Sequence, residues 1–226
     1  MYRRKDKRMR FAFYISGAGT RLRYFLEQGE MKRIRQIELV ISDACISDAL
    51  KEILNIEKII YKEIFYEALN GDSRAEKNLA LSGRILELLE AHEIDYCFSF
   101  GSHLLSGPLL ERYHMRLINF HPSLLPMFPG IKAIDQATRQ GTVFLAGNTA
   151  HFIDAGMDTG PVIMQSVVPF QAFYDSGGDY ECILNLQTEM LGMLLDLLSD
   201  GRIGTENKRV KIRGADYHVS AIFPAL

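Results

Sequence analysis

The 226-residue chain is poor in cysteine, carries no surplus of either charge and holds no long apolar run. Each shortage removes a class of protein. Its three cysteines, Cys45, Cys97 and Cys182, are far apart and odd in number, and no CxxC or Cys/His ligand spacing occurs. A disulfide framework and a zinc site are therefore not expected, and the usage fits a reduced, cytoplasmic protein. A formal charge of -2 gives no reason to expect nucleic acid as a partner. No stretch reaches the roughly 18 to 20 apolar residues needed to span a bilayer, so no membrane partner is expected either. The basic start, MYRRKDKRMR, leads into an apolar run, Phe11 to Ile15, that is too short for a secretory core and is broken by Gly17 and Gly19. It reads as a solvated leader, with a basic anchoring arm as the alternative. Internal repeats, low-complexity tracts and Pro/Ser-rich linkers are absent from the sequence.

What is present is an apolar fraction of 47%, enough for a sizeable core. The patterning predicts strands over Phe11–Ser16, Ile37–Ser42, Lys58–Tyr61, Tyr96–Phe100 and Leu117–Phe120. It predicts helices over Leu22–Gln28, Ile46–Leu54 and Ser73–His92, the last with Ala75, Leu79, Leu86 and Leu89 on one face. Strand–helix alternation implies parallel pairing and an open α/β sheet, which binds ligands beyond the carboxyl ends of its strands. After Pro129-Gly130 a short helix, Ile131–Gln140, precedes apolar runs over Asn148–Asp154 and Val162–Val168. A helix over Cys182–Leu198 has Ile183, Leu186, Met190, Met193 and Leu197 as its stripe and stops at Asp200-Gly201. Lys208–Ile212 reads as a last strand. One continuous domain over 1–226 is expected, with a leader over 1–9 and halves over 10–120 and 121–226.

Three polar groups stand out. Asn119 and His121 lie two apart on or just past a strand, so their side chains share one side. Pro122 has no N–H and ends regular pairing there. The plain reading is a hydrogen-bonded Asn and His at a turn, but the full string NFHPSLLP is more specific, a loop that fixes where amide and imidazole point. Asp158 lies in DAGMDTGP, a loop whose glycines let backbone approach a ligand closely. Alone it reads first as a turn residue, and the two motifs together, with the strand-like HFID before the loop, turn the reading to a functional one. Ser16-Gly17-Ala18-Gly19-Thr20-Arg21 follows a strand and opens a helix, where backbone N–H groups suit a phosphate, although a plain tight turn needs no ligand.

The segments FAFYISGAGTRL, NFHPSLLPMFPG, HFIDAGMDTGPVIMQ and LLSDGRI together resemble the folate-dependent formyltransferases, above all the glycinamide ribonucleotide transformylase branch, over nearly the whole chain. The resemblance implies an α/β, Rossmann-like open sheet, mainly parallel with an antiparallel C-terminal part and helices on both faces. It implies 10-formyltetrahydrofolate as co-substrate, with Asn119, His121 and Asp158 as catalytic residues. It places the acceptor on Gly19, Thr20, Arg21, Pro122 and Glu189. It places the folate on Arg74, Ser102, His103, Leu104, Leu105, Asp154, Ala155, Gly156 and Met157. The chain departs from the family pattern at Arg21, usually Asn, and at His103, usually Arg. Ala146-Gly147-Asn148-Thr149 replaces His-Gly-Thr, and Lys132 and Ile134 stand where histidines are common. His151 fits a family position and reads as a packing and hydrogen-bonding residue.

The residue types suit acyl transfer to an amine. A protonated His121 and the Asn119 amide donate to the developing oxyanion. Asp158 favours the imidazolium and relays a proton from amine to folate nitrogen. No metal is needed. The acceptor the resemblance points to is glycinamide ribonucleotide, in de novo purine synthesis. The alternatives are a nucleotide-linked amino-sugar N-formyltransferase, a formyltetrahydrofolate hydrolase and an inactive folate-binding module. The hydrolases carry an extra amino-terminal domain and tend to have a second His at Pro122. The methionyl-tRNA formylases add a carboxyl-terminal domain, and about 60 residues follow Pro161. Both patterns count against those readings.

Overall fold

Strand and helix alternate through the first half of the chain in a computed structural model, which describes residues 8–141, 144–175, 181–207 and 209–219. The chain divides into two compact units at Asn119/Phe120. In the first, β1 (Phe11–Ile15), α1 (Thr20–Gln28), α2 (Met31–Ile34), β2 (Ile37–Ser42), α3 (Asp48–Ile56) and β3 (Ile60–Glu63) lead to a 3-10 turn at Tyr66–Ala68. Next come α4 (Arg74–Ala91), β4 (Tyr96–Phe100), α5 (Pro108–Arg112) and β5 (Leu117–His121), which runs across the division. The strands of this unit lie in the order β3-β2-β1-β4-β5, all parallel. Strand order reverses between β1 and β4, which makes their carboxyl ends the natural ligand position of such a sheet.

β1 is buried at every residue, as a central parallel strand must be. Phe13 stacks on Phe98 of β4 at 5.1 Å, and Phe11 tilts against the same ring at 6.0 Å. Such aromatic pairs contribute about 0.5–1.5 kcal/mol each beyond their buried area.

The helices start where side chains supply the missing acceptors. Ser47 caps α3 by accepting from Leu50 N–H, so the helix begins at Asp48 rather than at Ile46. Ser73 and Glu76 form a reciprocal capping box on α4. The strand expected from Lys58 begins at Ile60, because Lys58 takes a left-handed φ of 57° and Ile59 N–H returns to Leu54 C=O to close α3. The buried face of α4 is Asn78, Leu81, Ser82, Ile85 and Leu89. The expected stripe is corrected there: Ala75 and Leu79 are exposed, and Leu79 instead covers Gly107.

The second unit contains α6 (Ala133–Gln140), β6 (Leu145–Phe152), β7 (Val162–Pro169), α7 (Phe170–Asp175), α8 (Glu181–Ser199), β8 (Ile203–Glu206) and β9 (Arg209–Ile212). β6 and β7 pair antiparallel, as do β8 and β9. The fold is thus α/β, with mostly parallel strands and an antiparallel C-terminal part, as expected. β6 ends at Phe152 rather than at Asp154, because Asp154 folds into a turn, accepting from Gly156 N–H and Thr159 Oγ1. α8 buries Ile183, Gln187, Met190, Leu191, Leu194 and Leu198, while Met193 of the expected stripe is 52% exposed. The expected last strand is β9; Lys208 and the leader's residues 1–7 lie outside the described residues. Helices α2 and α5 are too short for periodicity to reveal.

Candidate active site

His121 is the last residue of β5, and strand alternation puts its side chain on the same face of the strand as that of Asn119. The segment that follows is held by side chains of β6 and β7. Thr149 Oγ1 donates to Ser123 C=O at 2.7 Å and accepts from Leu125 N–H at 3.0 Å. Gln165 Nε2 donates to Leu125 C=O at 3.0 Å and to Thr149 Oγ1 at 2.9 Å. Ser123 Oγ donates to Met127 C=O. The backbone groups of this loop are satisfied by fixed partners, which limits where His121 can point.

His121 is 4% exposed. Its Nδ1 lies 3.2 Å from Asp158 Oδ2, and its Nε2 lies 2.7 Å from Phe128 C=O. Asp158 also accepts the Gly130 N–H at 2.7 Å through Oδ2, and its Oδ1 lies 3.5 Å from His151 Nε2. The other nitrogen of His151, Nδ1, lies 2.9 Å from Phe152 C=O. Each ring therefore stands between two acceptors, and only a doubly protonated imidazole donates to both. One carboxylate joins two imidazoles and a backbone amide, all largely out of water.

Asp158 takes a left-handed φ of 56°, which Asp tolerates better than most residues. The loop that carries it closes tightly. A Cβ on Gly160 would lie 1.7 Å from Phe152 C=O, so only glycine fits. A skip in the β6–β7 register falls between Ala150 and His151, where a bulge re-aims side chains beside a site. Asp158 is held below the usual carboxylate range, chiefly by the His151 hydrogen bond although that contact is the longer one. Burial opposes this, and the Gly130 N–H and the His121 charge add to it.

In the first unit, Ile15, Ser16, Gly19, Thr20, Arg21 and Phe100 line a cleft of about 190 Å³. Gly19 precedes α1 at φ 70°, and no side chain caps that helix start. A Cβ on Gly19 would meet Leu50 Cδ2 at 2.5 Å. The Arg21 guanidinium lies 5.1 Å from the centre of the Phe100 ring, and burial lowers its pKa from the ordinary guanidinium value.

The expected folate residues separate into several environments. In the first unit His103 faces inward: its ring stacks on Tyr66 at 3.5 Å and its Nε2 lies 3.6 Å from Asp43 Oδ2. Ser102 is exposed, Leu104 is 53% exposed and Leu105 is buried. Arg74 is exposed at the first turn of α4. In the second unit Ala155, Gly156 and Met157 are exposed beside Asp154, and Met157 Sδ lies against Gly130. Pro122 borders an apolar hollow with Leu124, Met127, Phe128 and Phe170. Glu189 is exposed on α8. Sequence reasoning missed the Phe128 carbonyl, the Gly130 amide and Asp43. An acidic residue directly after β2 was the available signal for Asp43, while a backbone carbonyl leaves none. Among the described residues no group of three or more His, Cys, Asp or Glu side chains is placed to hold a metal ion, and no helix is long and apolar enough to cross a membrane.

Residues 9–191 match the family model described as formyl transferase. The chain belongs to the formyl transferase family. Within that family it is 34% identical over 163 residues to the phosphoribosylglycinamide formyltransferase of Bacillus subtilis, covering 70% of this chain and 78% of the relative. It is 30% identical over 170 residues to the human trifunctional purine biosynthetic protein adenosine-3, covering 73% of this chain but only 16% of that much longer protein. Among solved structures, glycinamide ribonucleotide transformylase 1 from Symbiobacterium toebii superposes with a TM-score of 0.76 at 33% identity, covering 90% of this chain and 93% of that one.

Proposed function

We propose that this formyl transferase moves the formyl group of 10-formyltetrahydrofolate onto the primary amine of glycinamide ribonucleotide, a step of de novo purine biosynthesis in the cytoplasm. The observation that carries the reading is the buried Asp158 carboxylate bridging His121 and His151 at the end of β5. The B. subtilis relative, at 34% identity, supports the choice of acceptor.

The chemistry follows from the residues. The neutral amine attacks the formyl carbon, a C–N bond forms, and negative charge develops on the formyl oxygen. The Asn119 amide and the His121 imidazolium donate to that oxygen; one such donor contributes about 100- to 1,000-fold in rate. His121 reaches it by exchanging the Phe128 carbonyl for the formyl oxygen, so the carbonyl holds the ring ready beforehand. Asp158, 3.2 Å from Nδ1, orients the His121 ring and passes a proton from the new ammonium toward the folate nitrogen as the old C–N bond breaks. Tetrahydrofolate and the N-formyl amide are the products.

The exposed residues 155–157, with Asp154 beside them, suit the edge of a flat heterocycle with donors and acceptors. Arg74 is the cation that remains for the folate carboxylates, since His103 faces Asp43. Gly19, Thr20 and Arg21, at an uncapped helix start, suit the acceptor phosphate, and Glu189 suits its ribose hydroxyls. Steady-state assays with glycinamide ribonucleotide, with a nucleotide-linked amino sugar and with no amine test the reading. Efficient turnover of the first alone is expected. Turnover of the amino sugar alone would reassign the acceptor, and formate release without an amine would reassign the reaction.

A further inference from the structure

One hydroxyl ties together the ends of three parallel strands. Ser16, directly after β1, donates to Asp43 Oδ2 at 2.5 Å, and Asp43 directly follows β2. The same Ser16 oxygen accepts the Ser102 backbone N–H at 2.8 Å, with Ser102 Oγ at 3.2 Å, and Ser102 follows β4. Behind this contact Asp43 is only 4% exposed and also accepts from Tyr14 Oη at 2.5 Å, with His103 Nε2 at 3.6 Å from the same oxygen. The backbone adds two ties, Asp43 N–H to Ile15 C=O and Tyr66 N–H to Asp43 C=O.

This arrangement settles what Asp43 does not do. An acidic residue after the second strand of a nucleotide-binding sheet commonly takes ribose hydroxyls. Here one carboxylate oxygen is already shared by two hydroxyls and faces an imidazole, and the side chain is out of water. A ligand hydroxyl bound at Oδ2 would have to displace an internal one. The carboxylate belongs to the scaffold, and what it holds is Ser16. Gly101, between Phe100 and Ser102, lies so close to the Tyr14 ring that a Cβ there would meet it at 2.1 Å. Two loops, 16–21 and 101–105, are thereby locked to one buried core.

We propose that Ser16, backed by Asp43 and Tyr14, is a positioning residue that sets the spacing between the loop after β1 and the loop after β4, and hence the approach of acceptor to formyl donor. This rests on the functional reading above, in which the first loop holds the acceptor phosphate, and on the expectation from the resemblance that Ser102 and Leu104 of the second loop face the folate. Each loop keeps its own ligand contacts if the tie is cut, but their mutual geometry relaxes. A displacement of about 1 Å between reacting groups costs on the order of 100-fold in rate.

The test is steady-state kinetics of Ser16→Ala and Tyr14→Phe, with hydrogen exchange of the Ser102 amide in the same proteins. In Ser16→Ala, kcat is expected to fall on the order of 10- to 100-fold while both KM values stay within about threefold, the signature of lost positioning rather than lost binding. The Ser102 amide should exchange faster. Tyr14→Phe keeps the ring against Gly101 and so keeps the fold; it should show the same split with a smaller loss. An active wild type with kcat unchanged in Ser16→Ala, or with the loss confined to KM, overturns the positioning role and leaves the function standing. A wild type that formylates no amine overturns the functional reading, and this inference with it.

Discussion

Oδ2 of Asp158 lies 3.2 Å from Nδ1 of His121, with both side chains almost wholly out of water. A carboxylate so placed fixes the ring through Nδ1 and leaves Nε2 as the nitrogen that can turn to an oxyanion. His121→Ala should lower kcat by about 100- to 1,000-fold. Folate affinity, measured by calorimetry, should change little. Retention of full turnover would remove His121 from the chemistry.

The Asp158 environment also predicts how stability depends on pH. Its carboxyl titrates below its unfolded value in the folded chain. The stabilisation is therefore fully present above the unfolded value of about 3.9 and is lost as pH falls through the lower folded one. Asp158→Asn keeps a residue that accepts a left-handed backbone. In urea titrations the wild type should exceed the variant at neutral pH, and the gap should close with acidification through that window. A gap that widens on acidification would contradict the assigned charge state.

Arg21 combines a half-buried guanidinium with the face of the Phe100 ring. Arg21→Ala should raise KM for a phosphate-bearing acceptor about 10- to 100-fold with kcat largely retained, since binding to a remote phosphate is common to ground and transition states. KM for the folate should not move. A fall in kcat alone would show that Arg21 acts on the reacting groups.

Thr149 exchanges hydrogen bonds with Ser123, Leu125 and Gln165 and is fully buried. Thr149→Val preserves shape and strands those partners. An orphaned buried group costs about 1–3 kcal/mol, so the loss of unfolding free energy in urea should be at least of that order. Catalysis should weaken as well, because the same bonds hold the loop that begins at His121. Unchanged stability would mean that other partners satisfy the loop.

Much of this was legible in the sequence. Buried strands such as β2 and β4 announce themselves as short apolar runs, and their observed bounds coincide with those expected. Ends were harder. Lys58 looked like strand and instead closes α3, because a helix stop can place a non-glycine residue in left-handed backbone. The face of α4 was misjudged because its buried side includes Asn78 and Ser82, two polar residues that hydrophobic spacing skips. Tyr66 Oη donates to Asn78 and Ser82 Oγ donates to Asn78 C=O, so their burial is compensated. At the candidate site, the His121 and Asp158 strings were readable from residue type and spacing. The Phe128 carbonyl and the Gly130 amide were not, since backbone groups carry no letter. Nor did the sequence reveal that His103 turns to Asp43: that pairing spans 60 residues and depends on where β2 and β4 end.

The central claim is amine-dependent formyl transfer carried by Asn119, His121 and Asp158. The most direct measurement follows tetrahydrofolate formation and N-formyl product together, with purified protein, 10-formyltetrahydrofolate and glycinamide ribonucleotide, for the wild type and Asp158→Asn. The account predicts equal amounts of both products, none without the amine, and a rate at least about 100-fold lower in the variant. Folate turnover that continues without the amine, or that survives undiminished in Asp158→Asn, would contradict it.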